Sequence, residues 1–566
     1  MIHRRLTLCA FILVPAVGAA AACGSSGNQN NPDAGTMTTD SGVPDVSVED
    51  TGAPMDSGTS KDSTATSDGS CAPAPTGPFT EATHGPLPTM AYFGGGIMTA
   101  PEVISFTFSN MPHAAEIQAF GQNITHTDWF AAVSKDYCVP DGGPCVQPGP
   151  LGISVPMPMA ADATYVDDPG GSTSGGTDLE AFIGQQIAAA VAAKTISEPT
   201  PNSLYVFYFP PTTTIWLGPV NQGTPTCQGV GGYHSALAYG DAGTPIAYAV
   251  VPYCDYPNAP DEVDYQQFTL AASHEVIEAV TDPMNNVDGQ PAWILDTPMA
   301  PDAAVTTNEF RNDPWLDLQF QEVGDNCESL LLDFWNLDDA GTIVQRIWST
   351  SAASAGHNPC IPVPAGESYY NVSTDKAIYV ANVGDTFTVD LSAFSDVARP
   401  SWLVQAIDAT PTQTPSAGNP NAPLPYLNLE FVGGTPADDA GDPTTLTCVN
   451  NGSKAQLKVT LLADPDNDTS LQYQQEWPEA DGIINSFDLA DPQTYPGPDG
   501  GPMVAYPYQF WPFAVVTPAT AAAVGIPAAG VTDVHQLRTL RKAHHRQLRR
   551  GPSAIPSWHA RVPVKR

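Results

Sequence analysis

The sequence predicts an α/β (α+β) domain over residues 78–364, followed by an all-β, sandwich-like domain over 367–517. Three observations lead to this reading. Strand-like and helix-like segments alternate between Val103 and Pro283. Five short strand-like segments lie between Ala377 and Phe510, separated by turn residues and without a helix of useful length. Residues 24 to about 75 carry almost no large apolar side chains, so they cannot bury enough surface to offset ordering entropy.

Residues 1–22 read as an export signal. Arg4 and Arg5 open it, Leu6 to Val17 form an apolar run too short for a permanent span, and Ala20-Ala21-Ala22 offers a cleavage site. Cys23 follows, as the lipidated cysteine of a bacterial lipoprotein would, although Ala20 stands where such signals usually carry Leu. Release by an ordinary signal peptidase is the alternative. The segment 23–77 then reads as a flexible, acidic tether rich in Ser, Thr, Asp, Gly and Pro.

The chain has 60 acidic and 20 basic residues, a formal net charge of −40. Nucleic acid and anionic membranes are poor partners for such a surface, which leaves a lipid anchor as the expected membrane contact. Nine of the basic residues lie between Arg538 and Arg566, a stretch without an acid. This tail, 534–566, has three readings: a basic amphipathic helix, a disordered end, or a shifted reading frame. Beyond Cys9 and Cys23 eight cysteines remain, an even number that suits disulfides in an exported chain. Spacing favours Cys138–Cys145, Cys227–Cys254 and Cys327–Cys360, while Cys71 and Cys448 stay unassigned and the connectivity stays open.

Along the first domain, Val103 to Phe108 alternates as a strand, and Thr127 to Lys135 reads as a short helix. Thr177 can cap a helix reaching about Ala193. Leu204 to Phe209 is a buried strand ended by Pro210-Pro211, and Ile246 to Val251 is another. A helix then begins near Asp261, lines one face with Phe268, Ala272, Val276 and Val280, and stops at Pro283. In the second domain the strands fall at 377–380, 386–389, 427–431, 456–460 and 508–510.

The late helix carries His274-Glu275-Val276-Ile277-Glu278. With 11 His and 16 Glu in 566 residues, chance supplies about 0.01 such H-E-x-x-E motifs per chain. His274 and Glu278 are one turn apart on one face and can share a zinc ion (Zn2+). Glu275 stands where the general base of an H-E-x-x-H metalloprotease stands. A carboxylate in place of the second imidazole lowers the ion's net charge and hence its Lewis acidity. The bland alternative is a helix face with ordinary polar residues.

Candidates for a third ligand are Glu322 and Asp325 in Q-E-V-G-D-N-C, His234 in G-G-Y-H-S, Asp282 at the helix end, and Glu309 in N-E-F-R-N-D. Glu309 ranks lowest because its surroundings are polar and loop-like. For Glu322 and Asp325 the competing role is a turn pinned by a disulfide; for His234 it is a core histidine. Trp293 and Trp348 are expected to pack rather than bind. Asp464-Pro465-Asp466-Asn467-Asp468 resembles the start of a calcium (Ca2+) loop, but Thr469 and Gln475 stand where that loop needs Gly and a bidentate Glu.

The order G-G-Y-H-S, S-H-E-x-x-E-A-x-T-D-P, E-V-G-D-x-C and V-Q-R-I-W-S resembles a family of exported bacterial zincin-like proteins. It is also distantly similar to the phosphate-induced (Exordium) proteins of plants. The matching residues are Gly232-Tyr233-His234, His274, Glu275, Glu278, Glu322, Asp325, Cys327, Gln345 and Trp348. The resemblance covers roughly 78–362, and this chain departs from it by an Asp/Asn-rich insertion over about 295–317. It implies a secreted, zincin-like domain.

Two functions follow as expectations. The first is an exported, lipid-anchored, zinc metallopeptidase-like hydrolase, with His274 and Glu278 as ligands, Asp325 or Glu322 as the third, and Glu275 as base. Its substrate would be an extracellular protein or cell-wall component. The second is a non-catalytic cell-surface binding module on the same scaffold. Finding His274, Glu275 and Glu278 all buried away from any cleft would sink the first.

Overall fold

The computed structural model describes residues 71, 77–160, 163–167, 176–221, 223–227, 231–240, 243–255, 261–284, 291–295, 322–327, 334–337, 342–364, 366–410, 425–433, 435–436, 445–467, 479–487, 493–496, 502–505 and 508–532. The export signal, Cys23, most of the tether, the basic tail, Glu309 and Asp468 lie outside the described residues. So does the insertion beyond Leu295.

A five-stranded sheet organises the first part. Its order is Ile153–Met157, Glu102–Phe108, Ser203–Phe209, Thr244–Pro252, Tyr233–Tyr239. The first four strands run parallel, and the last pairs antiparallel at the edge. Ser203–Phe209 is buried along its whole length, which suits the near-continuous apolar run of a strand covered on both faces. Alternate residues divide between two cores, as the period of a strand requires. Leu204, Val206 and Tyr208 pack on one side with Ala272, Val276 and Val280 of the helix Asp261–Thr281. Tyr205, Phe207 and Phe209 pack on the other with Leu179, Ile183 and Ile187 of the helix Leu179–Ala192.

The sequence predicted Thr177 as the cap of that second helix. Instead Asp178 caps it, its side chain accepting from Ala181 N–H at 2.9 Å, while Thr177 belongs to a short strand. The short helix Asp128–Ser134 begins as expected, with the Thr127 hydroxyl accepting from Phe130 N–H.

The second part has two antiparallel-rich sheets. One orders Tyr370–Thr374, Thr386–Ser395, Lys454–Leu461 and Leu427–Phe431. The other orders Ile378–Val380, Tyr508–Val516, Ala480–Phe487, Trp402–Asp408, Thr445–Val449 and Thr435–Pro436. They share a buried core in which Val389 and Leu457 of the first meet Trp402, Val404 and Phe513 of the second.

The two parts are joined by more than a linker. Tyr369, Phe394, Phe510 and Trp511 enter the same apolar cluster as the motif-helix residues Val276 and Val280. The chain preceding the first sheet lies on the later part: Cys71 is bridged to Cys448, and Asn451 bonds both Thr80 and Ala82. Met90–Tyr92 then pairs with Trp293–Leu295. The beginning of the chain is thus tied to both parts, and the motif helix ends inside a common core.

All eight described cysteines are paired: Cys71–Cys448, Cys138–Cys145, Cys227–Cys254 and Cys327–Cys360. The last three match the spacing argument. Such pairing is compatible with an exported protein. Among the described residues no helix is long and apolar enough to cross a membrane.

Candidate metal centre

The helix Asp261–Thr281 packs across Thr244–Pro252 and the edge strand Tyr233–Tyr239. His234 lies directly opposite Ala249, and Ala249 belongs to the core on the helix side. His234 therefore points toward the helix, whereas its neighbour Tyr233 points to the opposite core. It is a buried histidine, as the competing expectation held, but one set among carboxylates. Its Nδ1 is 3.5 Å from Glu275 Oε2 and 3.7 Å from Glu278 Oε2, and its Nε2 is 3.5 Å from Glu322 Oε1.

A second wall comes from the turn around Glu322–Cys327. Glu278 Oε1 accepts from Gly324 N–H at 2.9 Å and Asp325 N–H at 3.2 Å. Asp325 Oδ2 accepts from Glu322 N–H at 3.0 Å, which closes the turn on itself. The Cys327–Cys360 disulfide and a bond from Trp348 N–H to Val323 O hold the turn to the chain that follows. The expected disulfide-pinned turn is thus present, and it carries both candidates for the third ligand, Asp325 and Glu322. A Cβ on Gly324 would lie 2.8 Å from both Glu278 Oε1 and His274 Nδ1, so the turn approaches the helix only because this position is glycine.

Those bonds leave His274 Nε2, Glu278 Oε2 and Asp325 Oδ1 facing one another. Nε2 is 3.0 Å from Glu278 Oε2 and 3.6 Å from Asp325 Oδ1. A tetrahedral ion with bonds of about 2.0–2.1 Å sets its ligand atoms about 3.3 Å apart, so the observed separations straddle what such an ion needs.

Gln345 decides which nitrogen of His274 is available. Its Nε2 donates to Gly324 O at 2.7 Å, so its Oε1 is the atom 2.9 Å from His274 Nδ1. Nδ1 must then donate, and Nε2 faces the two carboxylates. Ser273 Oγ in turn accepts from Gln345 N–H at 2.9 Å, and Trp129 Nε1 donates to Gln345 O. Gln345→Ala should weaken metal binding about 10- to 100-fold with the fold retained, as loss of an orienting partner does elsewhere; zinc titration against a chelating indicator measures it.

The cluster is deeply buried: His274, Glu275 and Glu278 expose 0%, 1% and 1% of their surface. Burial alone would lower the His234 pKa, but Glu322, Glu275 and Glu278 outweigh it and push it up to about 10. Burial opposes charge on His274 too, yet Glu278, Glu275 and Asp325 hold it well above the ordinary imidazole value. Glu278 is itself pushed well up by burial and by Asp325 and Glu322, against the pull of His274. The metal-free cluster therefore retains protons that a cation would displace.

Of the other candidates, Asp282 Oδ1 accepts from Ala292 N–H at 3.0 Å at the helix end and joins neither group of metal donors. In the acidic stretch 464–467, Asp466 accepts from the Thr517 and Thr520 hydroxyls at 2.6 Å and 2.5 Å. That ties it to the start of the helix Pro518–Val524, while the rest of the calcium-loop resemblance, from Asp468 to Gln475, lies outside the described residues. Trp293 packs against Tyr92 and Tyr137, and Trp348 is buried. Ser273 and Gly324 belong to the S-H-E-x-x-E and E-V-G-D-x-C elements, but neither residue type signals the supporting role it has here.

No family model matches the chain, and no curated protein matches it. Among solved structures, domain 1 of VCBP3 from Branchiostoma floridae matches over 27% of this chain and 99% of its own, at 6% identity and a TM-score of 0.14. A likeness that slight assigns neither fold nor function.

Proposed function

We propose that the chain is an exported, lipid-anchored, zinc-dependent hydrolase of the metallopeptidase kind, built on a zincin-like scaffold. Support for the scaffold is the motif helix packed on a sheet with one antiparallel edge strand. Four disulfides support export, and Cys23 is the residue proposed to carry the lipid.

The observation that carries the metal assignment is the bond of His274 Nδ1 to Gln345. It commits Nε2 to the side where Glu278 Oε2 and Asp325 Oδ1 converge. A lone pair turned at two carboxylates is repulsive unless a proton or a cation stands between them. His274, Glu278 and Asp325 would hold the ion, with Glu322 beside them against His234. Zinc at that place supplies Lewis acidity to a substrate carbonyl and to the attacking water.

The chain's own contribution is a proton acceptor. Glu275 Oε2 is fixed by His234, while Glu275 Oε1 is buried and has no hydrogen-bond partner among the described residues. Oε1 is the atom assigned to take the proton from water as its oxygen adds to the carbonyl, and to return it to the leaving amine. Gly232 leaves room for that oxygen, since a Cβ there would lie 2.9 Å from it.

The near-complete burial of His274, Glu275 and Glu278 favours a second reading, a non-catalytic surface module whose metal is structural. Metal content tests what both share. Elemental mass spectrometry of the purified full chain should find zinc, and His274→Ala should hold at least one ion fewer per chain. Equal content in the two, or none in either after zinc is supplied, overturns the assignment.

A further inference from the structure

Beyond that ion, and resting on the same reading, we infer that the centre is dinuclear: a second divalent cation sits between His234 and Glu275, with Glu278 shared by both ions. Two groups of metal donors meet in this cluster, His274–Glu278–Asp325 and His234–Glu275–Glu278. The imidazoles fall in different groups, and atoms of each group lie within 4.8 Å of one another. Ligands of one ion with bonds of about 2.1 Å stand at most about 4.2 Å apart. One ion therefore does not serve both histidines in this arrangement, whereas two ions do. The separations around the second position, 3.5 Å and 3.7 Å from His234 Nδ1, suit a tetrahedral site as well as those around the first.

Charge leads to the same conclusion. Glu275, Glu278, Glu322 and Asp325 bring four carboxylates into a region where each exposes 7% or less. With both imidazoles neutral, as ligands must be, one divalent ion balances two of these four charges, while two ions balance all four. Two imidazoles and four carboxylates are also the donor set that holds paired ions in carboxylate-bridged di-iron and di-manganese proteins. Glu278 suits the bridging role: Oε1 is occupied by two backbone N–H groups, and Oε2 faces both histidines. Glu275 would give Oε2 to the second ion and keep Oε1 for the proton.

The alternative occupant of the second position is a proton on His234. The full chain, stripped with chelator and dialysed against Mn2+ and separately Zn2+, distinguishes them by metal count and by electron paramagnetic resonance of the manganese form. Two ions per chain, with an exchange-coupled manganese signal that His234→Ala converts to an isolated six-line spectrum, is the expected result. One ion per chain with only the six-line signal overturns the dinuclear inference and leaves the His274 site standing. No bound metal overturns both. The native chain's count and spectrum suffice should His234→Ala fail to fold.

Discussion

Glu275→Gln should lower hydrolysis of a peptide library about 10²- to 10⁴-fold, the range that general-base catalysis contributes, while the ion at His274, Glu278 and Asp325 stays bound. The amide matches the carboxylate in shape, so it preserves the approach of Gly232 and the packing of the helix. What it removes is the basicity of an oxygen that has no other partner among the described residues. The native chain, Glu275→Gln and His274→Ala are assayed together, each with its metal content. Loss of turnover in Glu275→Gln with the His274 ion retained supports catalysis. Native-level turnover in Glu275→Gln moves the base elsewhere. A native chain that holds metal yet cleaves no member of the library favours the structural role that the burial already suggests.

The parts of this centre that share one helix were legible in the sequence, because helix geometry converts a spacing of four residues into a shared face. His274, Glu275 and Glu278 need nothing more. Asp325 and Glu322 were reached through a turn motif next to a cysteine. Choosing between them required knowing that Asp325 Oδ2 is used inside its own turn, so that only Oδ1 faces His274. The placement of His234 is ambiguous in the sequence for a related reason. A lone histidine in a strand has two possible faces, and its register against Ala249 is a tertiary fact. Gln345, 71 positions from His274, stands in the V-Q-R-I-W-S element, but that resemblance does not say that its amide orients the imidazole.

The same division runs through the fold. Ser203–Phe209 was readable because a strand covered on both faces has to be apolar throughout. The helix Ala114–Asn123 was not: its entry residue, His113, sits in the left-handed region and its side chain makes no capping bond, so the usual start signal is missing. The union of the two parts in one apolar cluster was hidden as well. It depends on Phe394, Phe510 and Trp511 facing Leu87 and Met90 across more than 300 positions of sequence, and periodicity reports which face of an element is buried, not against what.

Metal-free and metal-loaded chains should respond differently to pH. In the metal-free fold His234 is raised from its ordinary 6.5 to about 10 by Glu322, Glu275 and Glu278, against the effect of burial. A raised folded-state value means that the folded chain binds the proton more tightly than the unfolded chain. That stabilisation is complete below about pH 6.5, shrinks through the interval up to 10 and is gone above it. His274 and Glu278, both shifted upward, act in the same direction. Zinc removes that fall, because it binds the imidazoles without their protons. Each proton displaced costs about tenfold in affinity per pH unit of acidification, and stabilisation by a bound ligand follows its affinity. Thermal unfolding between pH 6 and 9 should therefore show Tm falling with rising pH in chelator, whereas at saturating zinc it should rise to about pH 7 and then level off, because unfolded imidazoles with an ordinary value of 6.5 hold almost no protons above that. Parallel curves would mean that cation and protons do not compete for the same nitrogens, and neither histidine could then be a ligand.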